Sequence, residues 1–264
     1  MIRLIAVDLD DTLLGEDKQI SERNFQAIQA AKQQGVEVVL ATARGWFGTK
    51  SFYQQLELNS LAVCGSGTKV YDNHENCVKS WSIPLETAQE ILAIAEQNDI
   101  MMICSLPDKN LFNFVRPDWE NKIRSGIDIV VPDLAKKITD SPTQLFVKGE
   151  REVQILQKTL PSSHSHYAVH TLLYQDGIPE MMIIHPEVNK ASGVAWVCQQ
   201  MGIEQSEVLA LGDSANDISM LSWAGVGVAM GWSNETVKAA ANFATEHDDL
   251  DGVATAIERF VLGR

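Results

Sequence analysis

Short apolar runs recur along the chain, and several lead straight into loops rich in Asp, Thr or Gly. The first is Leu4-Ile5-Ala6-Val7, apolar at every position. Such a run reads as a strand buried on both faces, the texture found in the middle of a parallel sheet. A helix is expected from Ser21, a good N-cap, with Ile20 before it and Phe25 at the fourth helical position as a hydrophobic staple. Phe25, Ile28 and Ala31 continue one apolar face until Gly35 ends it. Val36–Leu40 and Leu61–Cys64 are the next strands, the latter ending in the turn Gly65-Ser66-Gly67. Strands alternating with helices predict an α/β fold whose parallel sheet has right-handed crossovers.

The texture changes after about Trp81. A helix over Leu85–Gln97 leads into short strands at Met101–Ser105, Leu111–Val115, Gln144–Lys148, Tyr167–Tyr174 and Met181–His185. Close spacing and interior prolines at 107, 117, 132, 142 and 161 suggest an α+β module with antiparallel pairs. Near Pro186 the α/β texture resumes. Lys190 starts a helix with Val194, Val197, Cys198 and Met201 on one face. The strand Val208–Leu211, a helix containing Ile218–Trp223, the strand Val226–Ala229 and helices at Glu235–Ala241 and Gly252–Phe260 follow. The simplest architecture is a doubly wound parallel-sheet core made from residues 1–82 and 187–264, interrupted by an inserted α+β module at 83–186.

A chain of 264 residues fits one large domain or two modest ones. Lys and Arg number 21 against 35 Asp and Glu, a net charge of −14, which argues against coating a nucleic acid. An anionic small molecule is still admissible if a local cation offsets the field. Cys64, Cys77, Cys104 and Cys198 lie far apart and form no Cys-x-x-Cys pair, so reduced thiols are expected rather than a disulfide scaffold or zinc ribbon. The opening segment turns acidic too early for a signal peptide, and no apolar run approaches the ~18 residues of a membrane span. A cytoplasmic protein without a membrane partner is the expectation; oligomeric state is left open.

The chemistry concentrates in Asp8-Leu9-Asp10-Asp11-Thr12, directly after the first buried strand. Three carboxylates in four residues repel one another unless a cation joins them, and loops at the carboxyl ends of parallel strands line the ligand crevice. A second apolar strand, Val208–Leu211, runs into Gly212-Asp213-Ser214-Ala215-Asn216-Asp217. Together the two loops would make a cage of hard oxygens suited to Mg²⁺. Calcium is the alternative ion, although the spacing fails the EF-hand pattern. Thr42, after its own strand, offers a hydroxyl beside exposed amides, and Lys190 offers the positive charge that an acidic pocket lacks.

The ordered set Asp8-x-Asp10-x-Thr12, Thr42, Lys190 and Gly212-Asp213-x-x-Asn216-Asp217 resembles the four motifs of the haloacid dehalogenase superfamily. The stretches Gly225–Gly231 and Asp251-Gly252-Val253-Ala254 further resemble its Cof-type branch of small-molecule phosphatases. That resemblance implies a Rossmann-like core with a cap domain over 83–186. It also implies a Mg²⁺-dependent phosphomonoester hydrolase working through an aspartyl-phosphate. Asp8 would be the nucleophile and Asp10 the acid and base. Mg²⁺ would be held by Asp8, the Asp10 carbonyl and Asp213, with Asp217 and Asn216 as supporting groups, and Thr42 and Lys190 would grip the phosphoryl oxygens, with Asn216 on the phosphate side.

Position 66 is Ser where relatives commonly carry Asn, and Gly231-Trp232-Ser233 stands where Gly-Asn-Ala is common. Trp232 is expected to pack against the core or the cap. Within the inserted module Arg116, Trp119, Lys122, Arg124 and His185 are candidates for selecting the substrate. His164, His166 and His170 read as a solvated loop and strand edge rather than a metal site. A small metabolite such as a sugar phosphate, pyridoxal phosphate or flavin mononucleotide is the expected substrate. A phosphotransferase or phosphomutase on the same scaffold is the alternative. Receiver-type phospho-acceptor domains share the residue types but are about half this length and lack the insertion.

Overall fold

Strand β1 (Leu4–Val7) is buried at every position. It lies between two parallel neighbours in the computed structural model, which describes residues 1–161, 163–173, 177–246 and 250–264. On one side β2 (Glu37–Leu40) pairs from Leu4 with Glu37 to Val7 with Leu40. On the other, the strand Val208–Gly212 pairs from Leu4 with Val208 to Val7 with Leu211. The sheet order is Phe243–Ala244, Val226–Ala229, Val208–Gly212, β1, β2, parallel throughout. Because the strands run one way, the loops that follow them leave from one edge. Backbone hydrogen bonds extend the register past the strand ends. The Asp8 amide donates to the Leu211 carbonyl at 3.0 Å, Ala41 to Val7 at 2.9 Å and Met230 to Gly212 at 3.0 Å.

Helix α1 (Glu22–Gln33) begins as its sequence suggests, with the Ser21 hydroxyl accepting from the Asn24 amide at 3.1 Å. Ala27, Ile28 and Ala31 form its buried face. Helix α2 (Trp46–Gln55) is not evident from periodicity, because aromatic residues and Gly48 interrupt the pattern. Its buried Trp46 stacks on Tyr71 at 5.1 Å and meets the edge of Tyr53 at 5.4 Å. Three short strands, β3 (Ala62–Cys64), β4 (Lys69–Tyr71) and β5 (Cys77–Ser80), form a second sheet. The Thr42 amide donates to Val63 at 2.9 Å, tying this sheet to the end of β2.

Contacts divide the chain into two compact units, Met1–Lys79 with Val188–Arg264, and Ser80–Glu187. In the second, the described strands are ordered Ser163–His164, Tyr167–Leu173, Pro179–Ile184, Gln144–Lys148, Ile103–Ser105, Asn110–Phe112 and Asp128–Val130. Every pair is antiparallel except the last. Alternation sorts the strand residues between two clusters. Cys104, Leu145, Val147, Met181 and Ile183 pack with Ile91 and Leu92 of the helix Leu85–Gln97, and with Val153 and Leu156 of the helix Glu150–Thr159. Ile103, Phe112 and Phe146 join Met101 and Trp119 in the other cluster. The helix Glu150–Thr159 escapes the sequence reading because only Val153 and Leu156 of its ten residues are buried. Of the expected strand Tyr167–Tyr174, the structure has Tyr167–Leu173, and Tyr174 lies outside the described residues. The expected helix Gly252–Phe260 is α-helical to Ile257 and continues as a π-turn over Glu258–Leu262.

Two glycines separate conformational need from steric need. Gly35 and Gly67 both have positive φ, +79° and +101°. A Cβ on Gly35 would enter open space, whereas one on Gly67 would collide with the backbone carbonyl of Asn189. Gly35→Ala is therefore expected to cost about 1–2 kcal/mol for the left-handed conformation alone. Gly67→Ala is expected to cost roughly 3 kcal/mol or more, because backbone must move as well. Urea unfolding of both variants checks this, and equal losses would mean the turn does not press on residue 189.

Candidate active site at the carboxyl edge of the parallel sheet

Asp8 is the first residue beyond β1 and is nearly buried. Lys190, the first residue of the helix Lys190–Met201, is completely buried. Its Nζ lies 2.6 Å from Asp8 Oδ1 and 2.6 Å from Asp217 Oδ1. A cation at a helix N-terminus opposes the helix dipole and, when buried, loses hydration, so it needs such carboxylate partners. A reciprocal cap fixes the helix start: the Asn189 side chain accepts from the Ser192 amide at 3.0 Å, and the Ser192 hydroxyl accepts from the Asn189 amide at 3.0 Å. The turn Gly65–Gly67 lies against that start, and a Cβ on Gly193 would come within 2.6 Å of Val63 Cγ1.

The loop after Val208–Gly212 brings in the second pair of carboxylates. Asp217 is fully buried and spends Oδ1 on Lys190. Its Oδ2 accepts from the Asp213 amide at 3.2 Å, the Ser214 amide at 3.0 Å and the Ser214 hydroxyl at 3.1 Å. Gly212 permits this fold-back, since a Cβ there would sit 2.5 Å from Asp217 Cγ. Asp213 Oδ1 accepts from the Thr12 hydroxyl at 2.9 Å, which joins the loops after the two central strands. Asn216 accepts from the Ser214 hydroxyl at 2.8 Å and is half-buried.

Asp10 is held differently. Arg44 grips its carboxylate at two points, Nε to Oδ2 at 2.7 Å and Nη2 to Oδ1 at 2.6 Å. Lys18 lies 2.8 Å from Asp11 and 3.8 Å from Asp10. Thr42 is buried, and its Oγ1 accepts from the Arg44 amide at 3.1 Å, leaving the hydroxyl proton to donate elsewhere. Sequence reasoning missed Arg44 and Lys18; the available signal was that Arg44 is the cation on the Thr42 loop. Trp232 packs against the core cluster, and its Nε1 donates to the Asp11 carbonyl at 2.9 Å. Of the histidines, exposed His166 meets the Thr87 hydroxyl at 3.2 Å and His170 is half-buried on its strand. The side chain of His164 lies outside the described residues.

The profile of the haloacid dehalogenase-like hydrolases matches residues 5–257. The chain belongs to that family. A 5-amino-6-(5-phospho-D-ribitylamino)uracil phosphatase of Bacillus subtilis is 29% identical, over 99% of this chain and 96% of that protein. The pyridoxal phosphate phosphatase of Escherichia coli is 27% identical, over 97% of each. The crystal structure of a haloacid dehalogenase-like hydrolase from Bacteroides thetaiotaomicron superposes with a TM-score of 0.82 at 25% identity, covering 98% of this chain and 99% of that one. This haloacid dehalogenase-like hydrolase is thus an enzyme of the phosphatase class, with the α/β core and cap-bearing architecture of the family. No helix among its described residues is long and apolar enough to cross a membrane.

In this hydrolase the carboxylates divide by environment. Burial and then the Asp217 charge push the Asp8 carboxyl up to about 7 against the pull of Lys190. Burial, then Asp8 and Asp217, push Asp213 up to about 8. Burial also acts on Asp10, but Arg44 and then Lys18 outweigh it and hold that carboxyl below the usual range. Burial would lower the Lys190 ammonium, yet Asp217 and Asp8 hold it above the ordinary lysine range. Ligand oxygens of Asp8, Asp213 and Asp217 all lie within 4.8 Å of one another. Three crowded carboxylates with one buried lysine fit a hard divalent cation, which relieves the repulsion.

The raised carboxyls give a signed pH dependence. Without a metal, Asp8 and Asp213 keep protons in the folded state that the unfolded chain has released, so their contribution to stability is lost as pH rises from about 4 through 7 and 8. His170, lowered by burial, contributes with the opposite sign below its ordinary value of 6.5. The comparison is therefore with Asp213→Asn. In chelator the wild type should lose more thermal stability than this variant between pH 5 and 8, and added Mg²⁺ should raise the wild-type midpoint most at pH 8. Parallel pH profiles would show that the Asp213 carboxyl is not crowded in this way.

Proposed function

We propose that this enzyme hydrolyses the phosphate monoester of a small metabolite through an aspartyl-phosphate on Asp8. The observation that carries the proposal is the convergence of Asp8, Asp213, Asp217 and the buried Lys190 at one sheet edge. Lys190 bonds Oδ1 of Asp8 and so fixes the carboxylate, leaving Oδ2 as the attacking atom. As the bond from that oxygen to phosphorus forms, the ester P–O bond breaks and the leaving oxygen takes a proton from Asp10. Water then attacks phosphorus, gives its proton to Asp10, and restores Asp8 with release of inorganic phosphate. In the resting arrangement Arg44 keeps Asp10 ionised, the form suited to the second half-reaction; the first requires Arg44 to yield the proton-accepting oxygen.

Asp8, the Asp10 carbonyl and Asp213 are assigned to Mg²⁺, with Asp217 bracing them through its bonds to Lys190 and the 213–214 amides. Bound there, the ion supplies positive charge that offsets the carboxylates and the phosphoryl oxygens. Thr42, Lys190 and Asn216 are assigned to the phosphoryl group, whose charge must be met in the transition state. The choice of substrate is assigned to the inserted module, residues 83–186. The names of the relatives, one a pyridoxal phosphate phosphatase and one a ribitylaminouracil phosphate phosphatase, support a small phosphorylated metabolite over a protein.

Phosphate release from a panel of metabolite monophosphates, with Mg²⁺ or EDTA, tests the proposal. The wild type should release phosphate only with the ion, and Asp8→Asn should lose roughly 10³-fold or more. Normal turnover by Asp8→Asn would remove the nucleophile assignment. Transfer to an added sugar exceeding release to water would mark a phosphotransferase instead.

A further inference from the structure

Two carboxylates in the loop after β1 are pulled by side chains that converge on it. Arg44 holds Asp10 at two points, and also donates through Nη1 to the Gly48 carbonyl at 3.2 Å, so its own position is set. The Arg44 guanidinium lies over the Phe52 ring at 5.2 Å. Lys18 holds Asp11 at 2.8 Å. Asp11 itself has φ +58°, in the left-handed region that residues with a Cβ seldom adopt. A turn that is both strained and pulled by cations needs a restraint on its backbone. The Trp232 indole supplies one at 2.9 Å, on the Asp11 carbonyl. Trp232 comes from a different loop, beyond Val226–Ala229, and its ring is anchored by packing on the core cluster.

We propose that Trp232 is a positioning residue for Asp10: its hydrogen bond to the Asp11 carbonyl fixes the peptide turn that sets where the Asp10 carboxyl points. The inference rests on the acid role given to Asp10 above. Phe at 232 keeps an aromatic ring against the core and removes only the donor. The Asp11 carbonyl is then free to turn, the left-handed residue can relax, and Asp10 follows Arg44 and Lys18. A displaced acid matters most where the leaving oxygen needs a proton. An alkoxide leaves poorly without one, whereas nitrophenolate leaves readily as the anion.

The test is kcat/KM of the wild type, Trp232→Phe and Asp10→Asn, each with Mg²⁺, on pyridoxal phosphate and on p-nitrophenyl phosphate. This ratio reports the steps up to departure of the first product. Trp232→Phe should lose about tenfold on pyridoxal phosphate and less than about twofold on p-nitrophenyl phosphate, with its unfolding midpoint near that of the wild type. Asp10→Asn should show the same selectivity, more strongly. A selective Asp10→Asn beside a Trp232→Phe that loses equally on both substrates, or on neither, overturns the positioning role and leaves the acid assignment standing. Equal losses on both substrates in Asp10→Asn overturn the acid assignment, and the role of Trp232 falls with it.

Discussion

The buried ammonium of Lys190 is the contact on which the rest of the site depends. It is fully enclosed and touches two carboxylates that arrive from opposite ends of the sequence, Asp8 after β1 and Asp217 after Val208–Gly212. Taking the ammonium away leaves both carboxylates buried without a counter-charge, a loss of roughly 3–5 kcal/mol for a buried pair broken on one side. The backbone around it is shaped to make the contact. The cap at Asn189 sets the helix start, Gly67 and Gly193 let the 65–67 turn close on it, and Gly212 lets Asp217 fold back. None of these glycines carries chemistry, yet each removes a Cβ that would push the charged groups apart.

The same loop edge sorts chemically identical side chains into different roles. Asp8 and Asp213 are crowded with like charge in a buried space, so each is pushed toward its neutral form. Asp10, two residues from Asp8, is half-buried and faces Arg44, so it is pushed the other way. Asp217 is committed on both oxygens to holding the loop and the lysine. A divalent cation among these carboxylates would offset the like-charge part of the first two shifts, while burial, the larger cause, would remain. Arg44 acts on the turn beyond the strand end, through its two bonds to the Asp10 carboxylate.

Much of this arrangement was legible in the sequence because parallel strands translate directly into place. Two unbroken apolar runs, Leu4–Val7 and Val208–Leu211, are adjacent in the sheet, so the Asp-rich loops after them had to meet. Thr42 and Lys190 were marked by the family's motifs, although neither stands out by residue type alone. What escaped has physical causes. Arg44 reads as an ordinary solvated cation until Asp10 is seen across from it, 34 residues away in sequence. The bond of Trp232 to residue 11 spans 221 positions and depends on how the loop after Val226–Ala229 aims that side chain, which no periodicity records. Helix α2 and the helix Glu150–Thr159 escaped because an interrupted or thin apolar face leaves little pattern to read.

The net charge of −14 disfavours a phosphate at long range, but distance decides the matter. At physiological salt, exposed charges farther than a Debye length of about 8 Å are largely screened. The enclosed charges of Lys190, Asp8 and Asp217 escape most of that screening because little water reaches them. Lys190 is enclosed, Arg44 is half-buried, and Lys18 stands beside Asp11, so positive charge gathers where the strand-end loops meet. Each is already engaged by a carboxylate, and an incoming phosphate must compete for it. That competition favours a ligand that brings a cation of its own to offset the carboxylates. In an acidic protein, the affinity of such a loop edge for an anion is therefore set by the charge balance among these few groups rather than by the overall field.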